Sequence, residues 1–140
     1  MTFKYLPDVA LADIAFQAES ESLDGLVESC ALAVTDIMVD PATLVPSEER
    51  KFELRADDTD RLLYDFLTEL IVTKDVDSLL FKRFKVRVSD GGKALAVVAE
   101  GEKIDRVRHA LRNDVKAVTM HMFGVSHAGS TWSATVVLDI

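Results

Sequence analysis

Carboxylates are the side chains of this 140-residue sequence whose positions suggest chemistry most clearly. Asp13 begins one strand-like segment, and Asp139 ends another, "TVVLDI", one residue before the α-carboxylate of Ile140. Calcium and other hard cations are bound by clustered carboxylates and carbonyl oxygens, and without such a cation the clustered anions would repel one another. A third oxygen donor from elsewhere in the fold would complete a site, but spacing alone does not identify that donor.

Other candidate residues are less specific. Asp65 and Glu69 stand at i, i+4 on a predicted helix, where an acidic face is commonly just solvated. Cys30 lies within an apolar helical stripe, so we expect a buried, inert thiol, and a single cysteine excludes an intramolecular disulfide. The sequence has no nucleophile elbow, P-loop or dinucleotide-binding motif. Its three histidines, none in the spacing of a zinc-binding helix, are His109, His121 and His127.

Composition indicates one soluble globular domain, which we expect to span residues 1–140. Hydrophobic residues make up 49% and charged residues 29% of the sequence. No apolar run reaches the length of a membrane span, and no signal peptide is visible, so we expect a cytoplasmic protein. The net charge of −8 is uneven, with 18 acidic and 6 basic residues in 1–79 but 6 acidic and 10 basic in 80–140. Such asymmetry marks either two surfaces with different partners or two halves that interleave and neutralise each other.

The candidate residues are positioned by a predicted mixture of strands and helices. Apolar residues at i, i+3, i+4 spacing predict amphipathic helices over 22–40 and 57–72, and weaker helical spacing predicts a short helix within 103–115. Alternation and turn signals predict strands over 13–20, 49–56, 80–90, 93–102, 116–127 and 130–139. We therefore predict the α+β class, a single domain with a mixed or antiparallel β-sheet and two main helices packed on it.

One predicted strand carries a basic face. In residues 80–90, Arg83, Lys85 and Arg87 alternate with apolar side chains. This face could contact RNA phosphates, dock a large partner, or simply be solvated, and docking of a large partner is the favoured functional interpretation. Stacking aromatic residues do not interleave with the basic ones, and the net charge is −8, so stable nucleic-acid binding by the protein alone is not expected.

Four blocks of the sequence resemble the archease family in order and separation. They are "ADIAFQAES" with "SLDGLVESCALAV" (12–34), "LLYDFLTELI" (62–71), "GEKIDRVRHALRNDVKAVTMHMFGV" (101–125) and "WSATVVLDI" (132–140). The most specific parts are "KAVTMH" and the "LDI" ending. The resemblance implies a protein cofactor of the GTP-dependent RNA ligase that joins tRNA exon halves. Such a cofactor promotes guanylylation and multiple turnover of the ligase, contacts tRNA only indirectly and is not itself an enzyme.

The resemblance also implies a metal site. Family members bind calcium between the aspartate of an early H-T-A-D motif and an acidic C-terminal end, which would make Asp13, Asp139 and Ile140 the ligands of calcium or another divalent cation. The sequence departs from this motif because Ala10 and Leu11 stand where His and Thr are usual. The resemblance further implies that the last strand is docked rather than frayed.

Four further residues are candidates for contact with a partner or support of the site. Lys116 is interpreted as a partner contact or a structural salt bridge, and His121 chiefly as a buried strand residue on the opposite face. Asp65 and Glu69 rank behind Asp13 and Asp139. Two other functions remain open: a chaperone-like modulator of another RNA enzyme, such as a tRNA methyltransferase, and a small metal-dependent hydrolase that uses the same carboxylates.

Overall fold

The computed structural model describes residues 2–7 and 13–140, and within them the chain forms two α-helices, a short 3-10 helix (Pro41–Thr43) and eight strands. The α-helices are α1 (Leu23–Met38) and α2 (Thr59–Asp77). Neither helix of this described part combines the length and hydrophobicity needed to cross a membrane. The strands are β1 (Thr2–Leu6), β2 (Asp13–Ser20), β3 (Glu48–Arg55), β4 (Leu79–Ser89), β5 (Ala94–Lys103), β6 (Ala117–Val118), β7 (Gly124–Ala128) and β8 (Thr131–Asp139).

Helix α1 is the centre of the fold. Ser22 caps its first turn, because the side-chain oxygen accepts a hydrogen bond from the amide of Gly25 at 3.0 Å. Small and apolar residues cover most of its circumference, so the helix is buried on nearly every side. Its hydroxyls bond in two directions, with Ser29 donating to the carbonyl of Thr2 in β1 and Thr35 to that of Phe81 in β4.

Helix α2 begins close to its predicted start and extends beyond its predicted end at residue 72. The side chain of Asp58 accepts a hydrogen bond from the amide of Arg61 at 2.8 Å, and this caps the helix. The helix continues to Asp77 and stops where Ser78 adopts a left-handed conformation, with φ of 53°. The extra residues add one more turn, which carries the buried Lys74.

The strands form two antiparallel sheets that pack against the helices. The first has the order β1-β2-β8-β6, with β7 also paired to β8, and the second has the order β3-β5-β4. Phe16 and Val136 of the first sheet and Phe52 and Phe84 of the second belong to the same core as the helices. The predicted α+β domain is therefore confirmed, and the single predicted sheet is divided into two antiparallel sheets that share one core with the helices.

The predicted short helix within 103–115 is wrong. Residues 104–116 form an irregular connection, and Val107, whose spacing with Ile104 and Leu111 predicted the helix, is 98% exposed. The segment instead pairs with the end of α1, because the amide of Arg112 donates to the carbonyl of Met38 and that of Asn113 to Ile37. These bonds satisfy carbonyl groups that the helix end leaves without partners.

The predicted strand over 116–127 is interrupted. Its ends form β6 and β7, but residues between them turn, and Met122 adopts a positive φ of 58°. Strand β1 was not predicted, although its residues pair along their length with β2. The other predicted strands agree with the structure to within a residue or two at each end.

Candidate metal site

Asp13 and Asp139 lie side by side at one end of the first sheet. Asp13 is the first residue of β2, Asp139 is the last of β8, and the antiparallel register makes them direct partners. Side chains of directly opposed residues share a face of the sheet, with Cβ atoms about 4.5–5.5 Å apart. The fold therefore brings together two carboxylates from distant parts of the sequence.

Asp139 is held from both sides. Beyond its pairing with Asp13, it pairs with Ala117 of β6, and its carbonyl accepts a hydrogen bond of 2.8 Å from the amide of Lys116. Ile140 packs against the hydrophobic core. The last strand is thus docked, as expected, and the backbone that carries the Asp139 carboxylate has a defined position.

The two opposed carboxylates repel each other, which disfavours the pairing of β2 with β8 at this end. Both residues are partly exposed. Within residues 2–7 and 13–140, neither side chain forms an ion pair. A cation bound between them would convert the repulsion into attraction, so the pair has the electrostatic character of a cation site.

The chemistry of the donors fits a hard divalent cation. Oxygen ligands favour calcium, which takes about 6–8 of them, more than the oxygens of two carboxylates can supply. No third Asp, Glu, His or Cys joins the pair among the described residues, so other ligands would be hydroxyl, carbonyl, terminal carboxylate or water oxygens. Ile140 stays the predicted third ligand, and Ala10 and Leu11 lie outside the described residues.

Thr119 is a residue near the site for which the sequence predicted no role. Its amide donates to the carbonyl of Val137, two positions along β8 from Asp139, at 2.9 Å. Its side-chain Oγ1 is buried and has no hydrogen-bond partner in the part of the chain that the structure describes. Buried hydroxyls normally have partners, so this oxygen is a further candidate for contact with a bound ion or water. The sequence could have drawn attention to Thr119 only through its position in "KAVTMH", one of the parts most specific to the family resemblance.

Lys116 and His121 lie at opposite ends of the short strand β6. Lys116 is exposed immediately before β6 and reaches the candidate site through its backbone amide. The interpretation of His121 as a buried strand residue is wrong, because the residue is exposed in the turn between β6 and β7. The turn breaks the alternation on which that interpretation depended.

Asp65 and Glu69 lie on α2, outside the carboxylate pair on the first sheet. Asp65 forms an ion pair of 2.9 Å with Arg61, one helical turn earlier. Glu69 is exposed. These residues have the geometry of a solvated helix face, and a role in partner contact stays a prediction for both.

A buried lysine supports the segment that flanks Asp139. The ammonium group of Lys74 lies 2.5 Å from Asp114, 2.9 Å from Asp75 and 2.7 Å from the carbonyl of Val115. These three acceptors saturate the donors of the ammonium group and compensate for its burial. Lys74 therefore attaches the end of α2 to the residues that lead into β6. The sequence showed only a helical lysine, with no sign of burial.

A second polar cluster fixes the irregular connection between β5 and β6. The ring of His109 is fully buried, its Nδ1 accepts from the amide of Asp105 at 2.8 Å, and its Nε2 therefore donates to Glu102 at 2.7 Å. Hydrogen bonds from Arg108, the amide of Val45 and His109 lower the pKa of Glu102 to about 2. His109 thus has a structural role. Its hydrogen bonds connect it to Asp105 and Glu102, not to the paired aspartates.

Comparison with known proteins agrees with this architecture. The model of the Archease protein family matches residues 3–140. Protein archease of Methanothermobacter thermautotrophicus is 37% identical over 131 residues, 92% of this chain and 93% of that protein. Protein archease of Pyrococcus abyssi is 34% identical over 132 residues, again 92% and 93% of the two chains.

Solved structures have the same fold. The solution structure of a Methanobacterium thermoautotrophicum protein superposes with a TM-score of 0.83 at 36% identity, covering 99% of this chain and 98% of that one. The crystal structure of a Thermotoga maritima protein, described as an archease and possible chaperone, gives a TM-score of 0.67 at 20% identity and 96% coverage of both chains. A two-sheet α+β domain of this kind is the archease fold. The present chain belongs to the archease family.

Proposed function

We propose that this protein is a cytoplasmic, non-enzymatic activator of the GTP-dependent RNA ligase that joins tRNA exon halves, and that it promotes ligase guanylylation and multiple turnover. Membership of the archease family supports the proposal. The observation that carries it is the direct pairing of Asp13 with Asp139, which concentrates negative charge at an accessible end of the first sheet.

In this proposal the carboxylate pair acts through a divalent cation, with calcium as the expected ion. A bound cation supplies positive charge that neutralises phosphate oxygens at a reacting centre. Asp13 and Asp139 would hold it, together with Ile140, while the bonds from β2 and Lys116 keep the Asp139 backbone in place. The protein would either position this charge at the ligase centre or favour a ligase conformation competent for nucleotide transfer.

Reconstitution with purified ligase, GTP, divalent cation and excess RNA ends tests the proposal. The wild-type protein is expected to increase both the guanylylated fraction of the ligase and the number of turnovers. Asp139→Asn removes one predicted ligand with little change in shape, and we expect it to lose most of the stimulation. Unchanged stimulation by Asp139→Asn would eliminate the carboxylate site as the source of activity.

A matched variant controls for the loss of one negative charge. Asp65→Asn changes a partly exposed carboxylate on α2 that is paired with Arg61 rather than with another acid. We expect this variant to stimulate the ligase as the wild type does, provided that Asp65 is not itself a partner contact. Equal losses in Asp65→Asn and Asp139→Asn would indicate a dependence on overall charge instead of a localised site.

A chaperone-like function is the second candidate, because the Thermotoga maritima relative is described as a possible chaperone. In that case the protein would protect another RNA enzyme, such as a tRNA methyltransferase, from aggregation. Light scattering of the methyltransferase at elevated temperature, with and without this protein, measures the effect. Protection without ligase stimulation would favour this candidate, whereas hydrolysis of a phosphate ester by the protein alone would favour a metal-dependent hydrolase.

A further inference from the structure

The outward face of the second sheet forms a basic trough that the function proposed above does not use. Strand β5 is the central strand between β3 and β4, and its outward residues Ala94, Ala96 and Val98 form a floor of small side chains. A shallow depression of about 270 Å³ lies over Ala96 and Val98. The inward residues of the same strands contribute to the core, so this face is separate from the paired aspartates of the first sheet.

Unpaired cations border this floor. Val98 lies between Lys51 of β3 and Lys85 of β4, and Arg87 lies opposite Ala96. All three basic residues are exposed, and within the described part of the chain none of them forms an ion pair. No ion pair among the described residues neutralises these three charges, although the protein as a whole carries a net charge of −8.

The other charges of this face leave the central part of the trough positive. Arg55 pairs with Asp90 at 2.7 Å, and Arg83 lies 4.0 Å from Glu100. Two exposed carboxylates of β3 also lie on this face: Glu53, opposite Ala96, and Glu49, two residues before Lys51. The positive character is therefore concentrated at Lys51, Lys85 and Arg87, on the two sides of the depression.

The chemistry of the trough favours phosphate groups over a protein surface. Protein interfaces need large buried anchors, usually aromatic residues, Met or Arg, and their cores are depleted in Lys. Here the largest side chain of the floor is Val98. Flexible lysine and arginine side chains around a flat floor instead suit the oxygens of a phosphate backbone. We propose that this trough binds the phosphate backbone of RNA.

Recognition at this face is independent of base sequence. The floor has no aromatic side chain on which a base could stack, so contacts are made to phosphates alone. With about three such contacts and an acidic protein around them, binding is weak, with a Kd on the order of 10⁻⁴ M or weaker at physiological salt. The trough therefore adds affinity to RNA that is already held nearby, without forming a stable complex alone.

Fluorescence anisotropy with a labelled single-stranded RNA oligonucleotide, over a series of KCl concentrations, tests the proposal on the full chain. Three phosphate contacts on a single strand predict a slope of log K against log salt of about −2. The triple variant Lys51→Gln, Lys85→Gln, Arg87→Gln is expected to weaken binding at low salt at least tenfold and to reduce this slope towards zero. Circular dichroism verifies that the variant is folded.

A control variant loses the same charge elsewhere. Lys4→Gln, Lys103→Gln, Arg106→Gln also removes two lysines and one arginine, all exposed and outside the trough, and it is expected to keep the slope. Equal weakening in both triple variants would overturn the proposal.

Amide chemical shifts on the wild-type chain give a readout that needs no variant. RNA is expected to shift residues 96–98, and shifts confined to other surfaces would contradict the proposal. Binding of an acidic polypeptide but not of RNA would assign the trough to a protein partner instead. No RNA binding at low salt would leave the lysines as charges that keep edge strands β3 and β4 from pairing with another chain.

Discussion

At the scale of single residues, the candidate site depends on a register that places two like charges opposite each other. The sequence was sufficient to nominate Asp13 and Asp139 through their family resemblance. It was not sufficient to show that they are direct partners, since strand register depends on pairing across the whole sheet. Two further features were not predictable, because they are properties of the folded chain: the Thr119 hydroxyl, which has no partner among the described residues, and the hydrogen bonds that converge on Glu102.

Asp139→Asn is expected to change stability in opposite directions without and with calcium. When a chelator removes calcium, the substitution abolishes the repulsion between the carboxylates of Asp13 and Asp139. The free energy of unfolding then rises by up to about 1 kcal/mol. With calcium at 100 times its Kd, the wild-type protein gains about 2.7 kcal/mol, and the variant loses most of that gain. Thermal unfolding with and without calcium measures both effects, and equal calcium shifts in the two proteins would contradict a site at Asp139.

Glu102 is expected to contribute to the acid stability of the protein. Its pKa is about 2 in the folded state against an ordinary value of 4.5, chiefly because Arg108 donates a hydrogen bond to it. The folded state therefore binds fewer protons than the unfolded chain between these values. The stabilising contribution is complete above pH 4.5 and is lost as the pH falls towards 2.

In urea unfolding between pH 2 and pH 6, Glu102→Gln should show a shallower loss of stability on acidification than the wild type. Glu48→Gln, an exposed position at the start of β3, is the control and should retain the wild-type pH dependence. If the free energy of unfolding fell equally with acidification in the wild type and Glu102→Gln, the hydrogen bonds to Glu102 would not persist in solution.

At the scale of elements, periodic patterns predicted the two helices and most strands, and failed where backbone bonds to other elements decide the conformation. Residues 104–116 have helical spacing at Ile104, Val107 and Leu111, yet Leu111 forms a bridge with Val39 and the neighbouring amides bond to α1. The spacing of apolar residues within a segment does not show that the segment will donate hydrogen bonds to the end of a distant helix. The break between β6 and β7 likewise depends on the positive φ of Met122. Nothing in the sequence indicated this conformation, because the residue is not a glycine.

Lys74→Met tests the connection between α2 and the segment leading into β6. The variant keeps the length of the buried stem but removes the donor to the carbonyl of Val115, while Asp75 and Asp114 remain exposed to water. We expect a loss of about 1–3 kcal/mol in urea unfolding, because one buried acceptor is left without a partner. Because this change loosens the support of Asp139, amide hydrogen exchange should accelerate at residues 115–118 and calcium affinity should fall.

Lys82→Met is the matched control for this effect. Lys82 is a partly exposed lysine of β4 whose ammonium group donates to the carbonyl of Leu44, away from β6. Its substitution should leave hydrogen exchange at 115–118 and calcium affinity unchanged. If Lys74→Met also left both quantities unchanged, the bonds from Lys74 would not position this segment.

At the scale of the whole molecule, the two sheets shield the face of α1 that carries Cys30. The sequence predicted a buried, inert thiol from the apolar stripe around this residue. The structure agrees, with no exposed surface at Cys30, and burial raises the pKa of the thiol to about 12. The sequence did not reveal that α1 packs against both sheets. In a short helix, the pattern of apolar residues for burial on several sides is hard to distinguish from that of one broad apolar stripe.

Cys30 is therefore expected to resist alkylation and disulfide-exchange reagents at pH 8 until the protein unfolds, because the thiolate is the reactive form. The rate of labelling should rise with urea along the unfolding transition. Val107→Cys, at a position where the native side chain is 98% exposed, supplies an internal comparison and should label at once. Similar labelling rates at the two positions in native buffer would contradict the enclosed position of α1.

The placement of β8 has a consequence for synthesis of the protein. This last strand of the sequence lies between β2 on one side and β6 and β7 on the other. Until it is translated, the nascent chain presents an unpaired edge of β2, and open edges recruit other strands. Under the proposed function, cation binding would become possible only after β8 is inserted, because Asp139 is its last residue. Calcium affinity would then be a measure of whether β8 has paired with β2 in the first sheet.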